Sequence, residues 1–350
     1  MNKSNHDEAL DALANNDEDL VIEVMRGDGE KTLTEENADT VDKTEKVTKV
    51  LENLGNESVF SYAVKVYRKH FKGRFLRTLA VIVAVMLVAV VCFNIAVNQK
   101  FTVSFYQIRS DKVSDNIRVV ELADLHNNEF GKNNSELINK IKLLHPDLII
   151  FAGDMMNYKN SDYSVLFDLS DKLCKIAPIY ACFGNNELDQ YLFEDKSFKK
   201  KLESHNVNLL SNEAKEVVVG RTKLQFIAVT EGLEQFDVST NNAKKFVDKL
   251  EPTNDCRICL THYPELFLEK LQNKDIDIAF TGHAHGGLVR IPKLGGIYST
   301  GEGFFPKFTA GVYEIEDGTQ VVVSRGLGSS SIWPRINNQP ELVVVDICWH

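Results

Sequence analysis

At 350 residues the chain is long enough for one large domain with an ample core. Its formal net charge of −10 resides in residues 1–58, where 16 acidic residues face 6 basic ones and the rest of the chain balances. The acidity therefore says nothing about a substrate. The body also lacks the Lys/Arg stripe interleaved with aromatics that marks a nucleic-acid binder.

Residues 1–58 are poor in aromatics and rich in Asp, Glu, Asn and Thr, which reads as a solvated, largely disordered tail with no identifiable partner. Thr40 to Leu54 has the pattern of a weak amphipathic helix, with a plain spacer as the alternative. Residues 59–78 form a basic segment carrying Lys65, Arg68, Lys69, Lys72, Arg74 and Arg77 without an acid. Leu79 to Val97 then runs for 19 residues without a charge, close to the ~20 that cross a hydrocarbon core. This reads as a retained transmembrane helix, since a core helix would show a polar face and a signal peptide would start nearer the N-terminus. The excess of cations before the span predicts a cell-membrane protein with a cytoplasmic N-terminus and its body outside. Residues 98–112 read as a linker.

In residues 113–350, short apolar runs alternate with helical segments. IRVVEL (117–122), DLIIF (147–151) and PIYACF (178–183) read as buried strands, and Asn134–Leu144, Tyr163–Lys175 and Gln190–Ser204 as helices. Strands follow at 215–220, 223–229, 257–261 and 277–282, then a hairpin over 311–324 turning at Asp317-Gly318, and a closing strand at 341–347. The fold class expected is α/β, with two packed mixed sheets flanked by helices, preceded by one transmembrane helix. Cys92 lies in the span, leaving five cysteines, an odd number that cannot all pair. The CxxC of Cys256 and Cys259 sits within a strand, which points to core packing rather than redox or zinc chemistry.

Polar residues fall at the ends of these strands. Asp124 and His126 follow VVELA, Asp154 follows LIIFAG, and Asn185 follows YACFG. His262 follows ICLT, and His283 and His285 follow IAFTG. Ligands bind at the carboxyl ends of strands in open α/β sheets, so these side chains should converge. Any one motif is weak, but the ordered set reads as a metal site. Aspartate, imidazole and amide ligands suit Mn, Fe or Zn.

The set Asp124-Leu-His126, Gly153-Asp154, Gly184-Asn185-Asn186-Glu187, His262 and Gly282-His283-Ala284-His285 resembles the signature of the calcineurin-like metallophosphoesterase superfamily. It is similar above all to the membrane-anchored bacterial branch, through His283–Gly287 and the SRGLG (324–328) and PRIN (334–337) stretches. The resemblance implies a four-layer fold and two divalent ions, manganese foremost. Asp124, His126 and His285 would hold one, Asn185, His262 and His283 the other, and Asp154 would bridge them. It further implies hydrolysis of a phosphate ester, diester or pyrophosphate by a water activated between the ions, and the tethered geometry favours a lipid-linked or cell-envelope substrate.

One position departs from the signature. Asn186 stands where the family has a catalytic histidine. An amide can donate a hydrogen bond to a phosphoryl oxygen but cannot deliver a proton, and general-acid help is worth ~100- to 10,000-fold. Two readings stay open: an enzyme acting on a good leaving group, or a metal-binding sensor or scaffold with weak or no catalysis. Phe304, Phe305 and Phe308 could face lipid, line the cleft or pack within their loop.

Overall fold

The computed structural model describes residues 56–157, 162–230, 245–299, 301–329 and 335–349. The acidic tail and its weak helix at Thr40–Leu54 lie outside them, apart from residues 56–58. Those residues open helix α1, Asn56–Asn98, which runs unbroken through the basic segment and the apolar run. Its stretch Phe75–Asn98 is 24 residues long, with its most apolar window wholly unburied, a candidate membrane span. At 1.5 Å per residue it reaches roughly 36 Å, enough for a ~30 Å hydrocarbon core. The chain divides into two compact units, Met1–Val90 and Val91–His350.

In the second unit the first element is β1, Thr102–Ser110. The expected linker at 98–112 is thus largely a strand, and β1 pairs in parallel with β16, Glu341–Trp349, more than 230 residues away. Next come β2 (Ile117–Leu122), α2 (Ser135–Leu144), β3 (Leu148–Phe151), α3 (Ser164–Leu173) and β4 (Ile179–Ala181). The helix expected over Gln190–Ser204 is broken. A short α4, Asn185–Asp189, passes through a wide turn to Asp195, which is extended at φ −142°. The Asp195 carboxylate accepts from the Ser197 amide and the Lys201 ammonium, so the chain restarts as α5, Phe198–Ser204. Then follow β5 (Val207–Leu209), β6 (Glu213–Val219), β7 (Thr222–Ala228), β8 (Cys256–Leu260), α6 (Leu266–Glu269) and β9 (Ile278–Thr281). Four two-residue strands come next: β10 (Arg290–Ile291), β11 (Gly295–Gly296), β12 (Tyr298–Ser299) and β13 (Gly303–Phe304). The expected hairpin is β14 (Gly311–Glu314) with β15 (Gln320–Val323).

These strands build two six-stranded sheets, ordered β1-β16-β2-β3-β4-β5 and β14-β15-β9-β8-β7-β6. Side-chain alternation sorts each strand between layers. Val119, Ile150, Phe226, Ile258 and Phe280 pack between the sheets, with Cys256 among them. Val120, Ile149 and Phe151 turn to the other face, against Leu137, Leu166 and Phe198 of the helices. On the outer face of the second sheet, Cys259 and Val321 pack with Phe267. The result is four layers: helix, sheet, sheet, helix. Both CxxC sulfurs are buried and free, as core packing requires. Because β2, β3 and β4 run parallel, as do β8 and β9, the carboxyl ends of each set open on one edge.

Candidate metal centre

The ligand-type residues leave the sheets through sharp turns. Asp124, His126, Asp154, His283 and His285 all have positive φ, between 46° and 65°. Non-glycine residues seldom adopt this left-handed backbone, which costs of order 1–3 kcal/mol each. It turns each side chain off the strand axis and into the space between the strand ends. Gly184 makes room for this. A Cβ there would lie 2.2 Å from both the amide nitrogen and Oδ1 of Asp154.

The side chains converge as two overlapping groups, Asp124 with His126 and His285, and Asp124 with Asp154 and His262. The Nε2 atoms of His126 and His285 are 3.3 Å apart, with Asp124 Oδ1 4.0 and 3.7 Å from them. Adjacent ligands held about 2.1 Å from one ion stand about 3.0–3.4 Å apart, so the two imidazoles have the spacing of a shared metal while Asp124 stands somewhat farther off. Asp154 Oδ2 lies 3.8 Å from His126 Nε2 and 3.6 Å from His262 Nε2, between the two groups. His262 Nδ1 donates to the Ala152 carbonyl at 2.8 Å, which turns the lone pair of Nε2 toward the carboxylates. That buried Nε2 has no hydrogen-bond partner, and neither has the buried Oδ1 of Asn185. An unpartnered buried ring nitrogen 3.8 and 3.6 Å from two carboxylates is what a cation would satisfy. His283 places its ring 5.0 Å from that of His262, while its amide donates to Asp124.

Burial and proximity set the charges. Burial alone would lower the His262 pKa, but the charges of Asp154 and then Asp124, 3.6 and 3.8 Å from its Nε2, raise it to about 10. Asp154 would be raised by burial, yet His262, His126 and the Asn186 amide hold it well below the usual carboxylate range. Burial lifts Asp124 to about 7 against the pull of His262. His126 falls to about 4 and His283 to about 3, mainly through burial. Without metal, a proton on His262 thus does part of a cation's work between the two aspartates.

Asn186 is 3% exposed and takes its place behind His126. Its side-chain nitrogen donates to the Met156 carbonyl at 2.9 Å and lies 3.2 Å from His126 Nδ1. The Asn186 amide nitrogen in turn donates to Asp154 Oδ1 at 2.9 Å.

Several supporting residues were not singled out for a role in the sequence. Glu187, 2% exposed, accepts from the amides of Asp154 (2.8 Å), Gly184 (3.0 Å) and Met156 (3.0 Å) and so ties two ligand loops together. Its place three residues after the N-cap Gly184, at the start of α4, is the glutamate half of a capping box, its side chain accepting from the Gly184 amide. The SRGLG stretch packs against Asp124 and Leu125, with Gly328 N donating to Asp124 O. Arg335, 4% exposed, donates to the carbonyls of Gly328 and Arg325 and approaches His285 Nδ1 at 3.4 Å. Asn338 donates to the His285 carbonyl at 2.7 Å. Phe308 is wholly buried against Tyr313, whereas Phe304 and Phe305 are 74% and 68% exposed.

Residues 117–287 match the family described as calcineurin-like phosphoesterase. A phosphodiesterase of Escherichia coli K12, YaeI, is 27% identical over 66% of this chain and 82% of its own. The UDP-2,3-diacylglucosamine pyrophosphatase LpxG of Chlamydia trachomatis is 24% identical over 65% of this chain and 83% of its own. A transmembrane protein with a metallophosphoesterase domain from Danio rerio is 24% identical over 65% and 52% respectively. With this match laid over strand ends that gather Asp and His as a metal needs them, residues 117–287 form a calcineurin-like phosphoesterase domain, that of a metal-dependent phosphoester hydrolase.

Proposed function

We propose that the chain is a membrane-anchored dinuclear hydrolase of a phosphodiester or pyrophosphate carried on a lipid-linked or cell-envelope molecule. In this reading Asp124, His126 and His285 hold one ion, Asn185, His262 and His283 the other, and Asp154 spans both. Two divalent ions, manganese first and iron or zinc as alternatives, supply Lewis acidity and an activated water when bound. The chain's residues do the rest. The Ala152 carbonyl sets the tautomer of His262. Glu187 locks the Asp154 loop. The carrying observation is the buried, unpartnered His262 Nε2 beside Asp124 and Asp154, with the buried Asn185 Oδ1 likewise unpartnered.

The substrate class follows from Asn186. Its amide is engaged behind His126, and an amide has no proton to deliver to a leaving group. A pyrophosphate or activated diester departs without that help, consistent with the pyrophosphatase and phosphodiesterase among the relatives. The span Phe75–Asn98 and the cationic stretch before it support an anchored body outside the membrane, with the N-terminus cytoplasmic.

The test is turnover of bis-(p-nitrophenyl) phosphate by the full chain in detergent, with and without Mn. Metal-dependent turnover abolished by Asp154→Asn supports the enzyme. Stoichiometric metal without turnover on any diester or pyrophosphate would leave the sensor or scaffold reading, to which the departure at Asn186 also points.

A further inference from the structure

Outside α1, eleven large hydrophobic side chains of the described residues are exposed, and six of them fall in two short stretches beside the metal centre. They are Ile291 (47%), Leu294 (60%), Tyr298 (39%), Phe304 (74%), Phe305 (68%) and Ile336 (45%). The stretches are one hydrogen-bonded piece. Ile336 bridges Val289, β10 pairs with β11 and β12 with β13, and the Phe305 amide donates to Ile297. The Tyr298 and Phe304 rings meet edge to face at 5.1 Å. Among the described residues of 288–308 the exposed charges are Lys293 and Lys307, both cationic, with Arg290 and Glu302 half-buried.

This piece is fastened at both ends. Toward the metal centre, Asn338 holds the carbonyls of His285 and Leu288, and Arg290 Nη1 donates to Gly286. At the other end lies the last turn of α1. Asn94 and Asn98 both donate to the Arg335 carbonyl, at 2.7 and 2.8 Å, and Asn337 N returns a bond to Asn94 Oδ1. Asn94 and Asn98 are themselves the final turn of the candidate membrane span.

We infer that the apolar face formed by residues 289–305 and Ile336 rests in the headgroup region of the bilayer that α1 spans, holding the metal centre at the lipid surface. The occupant is a bilayer, because the face is pinned to the end of the span rather than placed elsewhere on the domain. Its make-up agrees: exposed aromatics and aliphatics flanked by lysines suit an interface with anionic lipid. A hydrolase so placed meets a lipid-linked phosphate without extracting it. The inference rests on the membrane reading above.

The test uses the full chain in vesicles of equal parts phosphatidylcholine and phosphatidylglycerol, brominated at a shallow acyl position. Trp333 and Trp349 are changed to Phe, and one tryptophan is introduced at a time: Phe304→Trp for the face, Val85→Trp for the span and Val218→Trp as a solvent control. Quenching at Phe304→Trp and Val85→Trp, but not at Val218→Trp, is the expected result. Quenching at Val85→Trp alone overturns the face and leaves the anchor standing; no quenching at either position overturns both. A tryptophan at 304 shielded only as protein concentration rises would assign the face to a second copy and overturn the inference. In parallel, Leu294→Ser/Phe304→Ser/Phe305→Ser should lower turnover of a bilayer-borne diester about tenfold. It should leave soluble bis-(p-nitrophenyl) phosphate unaffected, which also shows the variant folds. An equal loss on both substrates would overturn the role of the face.

Discussion

Asn186 stands behind His126, its side-chain nitrogen 3.2 Å from His126 Nδ1 and 2.9 Å from the Met156 carbonyl. The residue at the family's histidine position thus contacts the ring of a candidate ligand. Partners of this kind typically affect metal affinity or activity ~10- to 100-fold.

Asn186→Ala should weaken metal binding about tenfold or more and lower kcat with it. Titration of metal into the metal-free variant, read by calorimetry, checks the first part. Unchanged metal affinity would show that Asn186 does not position His126. Asn186→His asks the complementary question. If a proton donor is what the site lacks, rates on alkyl esters should rise more than rates on aryl esters, and an equal change on both would sink the leaving-group argument.

Metal binding should release protons and strengthen as pH rises. In the metal-free protein the His262 pKa is raised from 6.5 to about 10, so an ion must displace its proton. The same shift stabilises the metal-free fold fully below pH about 6.5, and that contribution is lost as pH climbs through about 10. The Tm of the metal-free protein should thus fall across this window, and added Mn should remove the fall. A Tm that is flat over the same window would contradict the arrangement of His262 between Asp154 and Asp124.

Gly184→Ala should abolish metal binding. The backbone there is ordinary, φ −85° and ψ 179°, so the failure would be steric, from a Cβ 2.2 Å from Asp154 N and Oδ1. Overpacking this severe should cost about 3 kcal/mol or more. Thermal unfolding checks it, and a near-normal Tm with full metal occupancy would show that the Asp154 loop yields easily.

Glu187→Ala should be more damaging than its lack of metal contact suggests. It leaves the buried amides of Asp154, Gly184 and Met156 without an acceptor. A buried group deprived of its partner costs about 1–3 kcal/mol, so a loss of about 3 kcal/mol or more is expected by denaturant unfolding. Glu187→Gln keeps an oxygen acceptor and should recover part of it.

Much of this protein was legible from its residues. The strand at Ile117–Leu122 appears with the bounds its alternation indicates, and Asp124, Asp154 and His262 could be placed because each ends an apolar run. Local patterns sufficed because burying a strand demands apolar residues, and a polar residue at its end needs another reason to be there. The strand at Thr102–Ser110 was not legible. Its sequence TVSFYQIRS mixes polar and apolar residues, and its parallel partner begins at Glu341.

From the sequence alone came the identity and order of the ligand-type residues and their places at strand ends, since apolar periodicity and chain order are local properties. Tertiary structure decided how they face one another. The left-handed turns at Asp124, His126, Asp154, His283 and His285, the Glu187 clasp and the placing of Asn186 behind His126 depend on contacts between distant segments. Such backbone is strained in isolation, and only packing from several strands at once holds it.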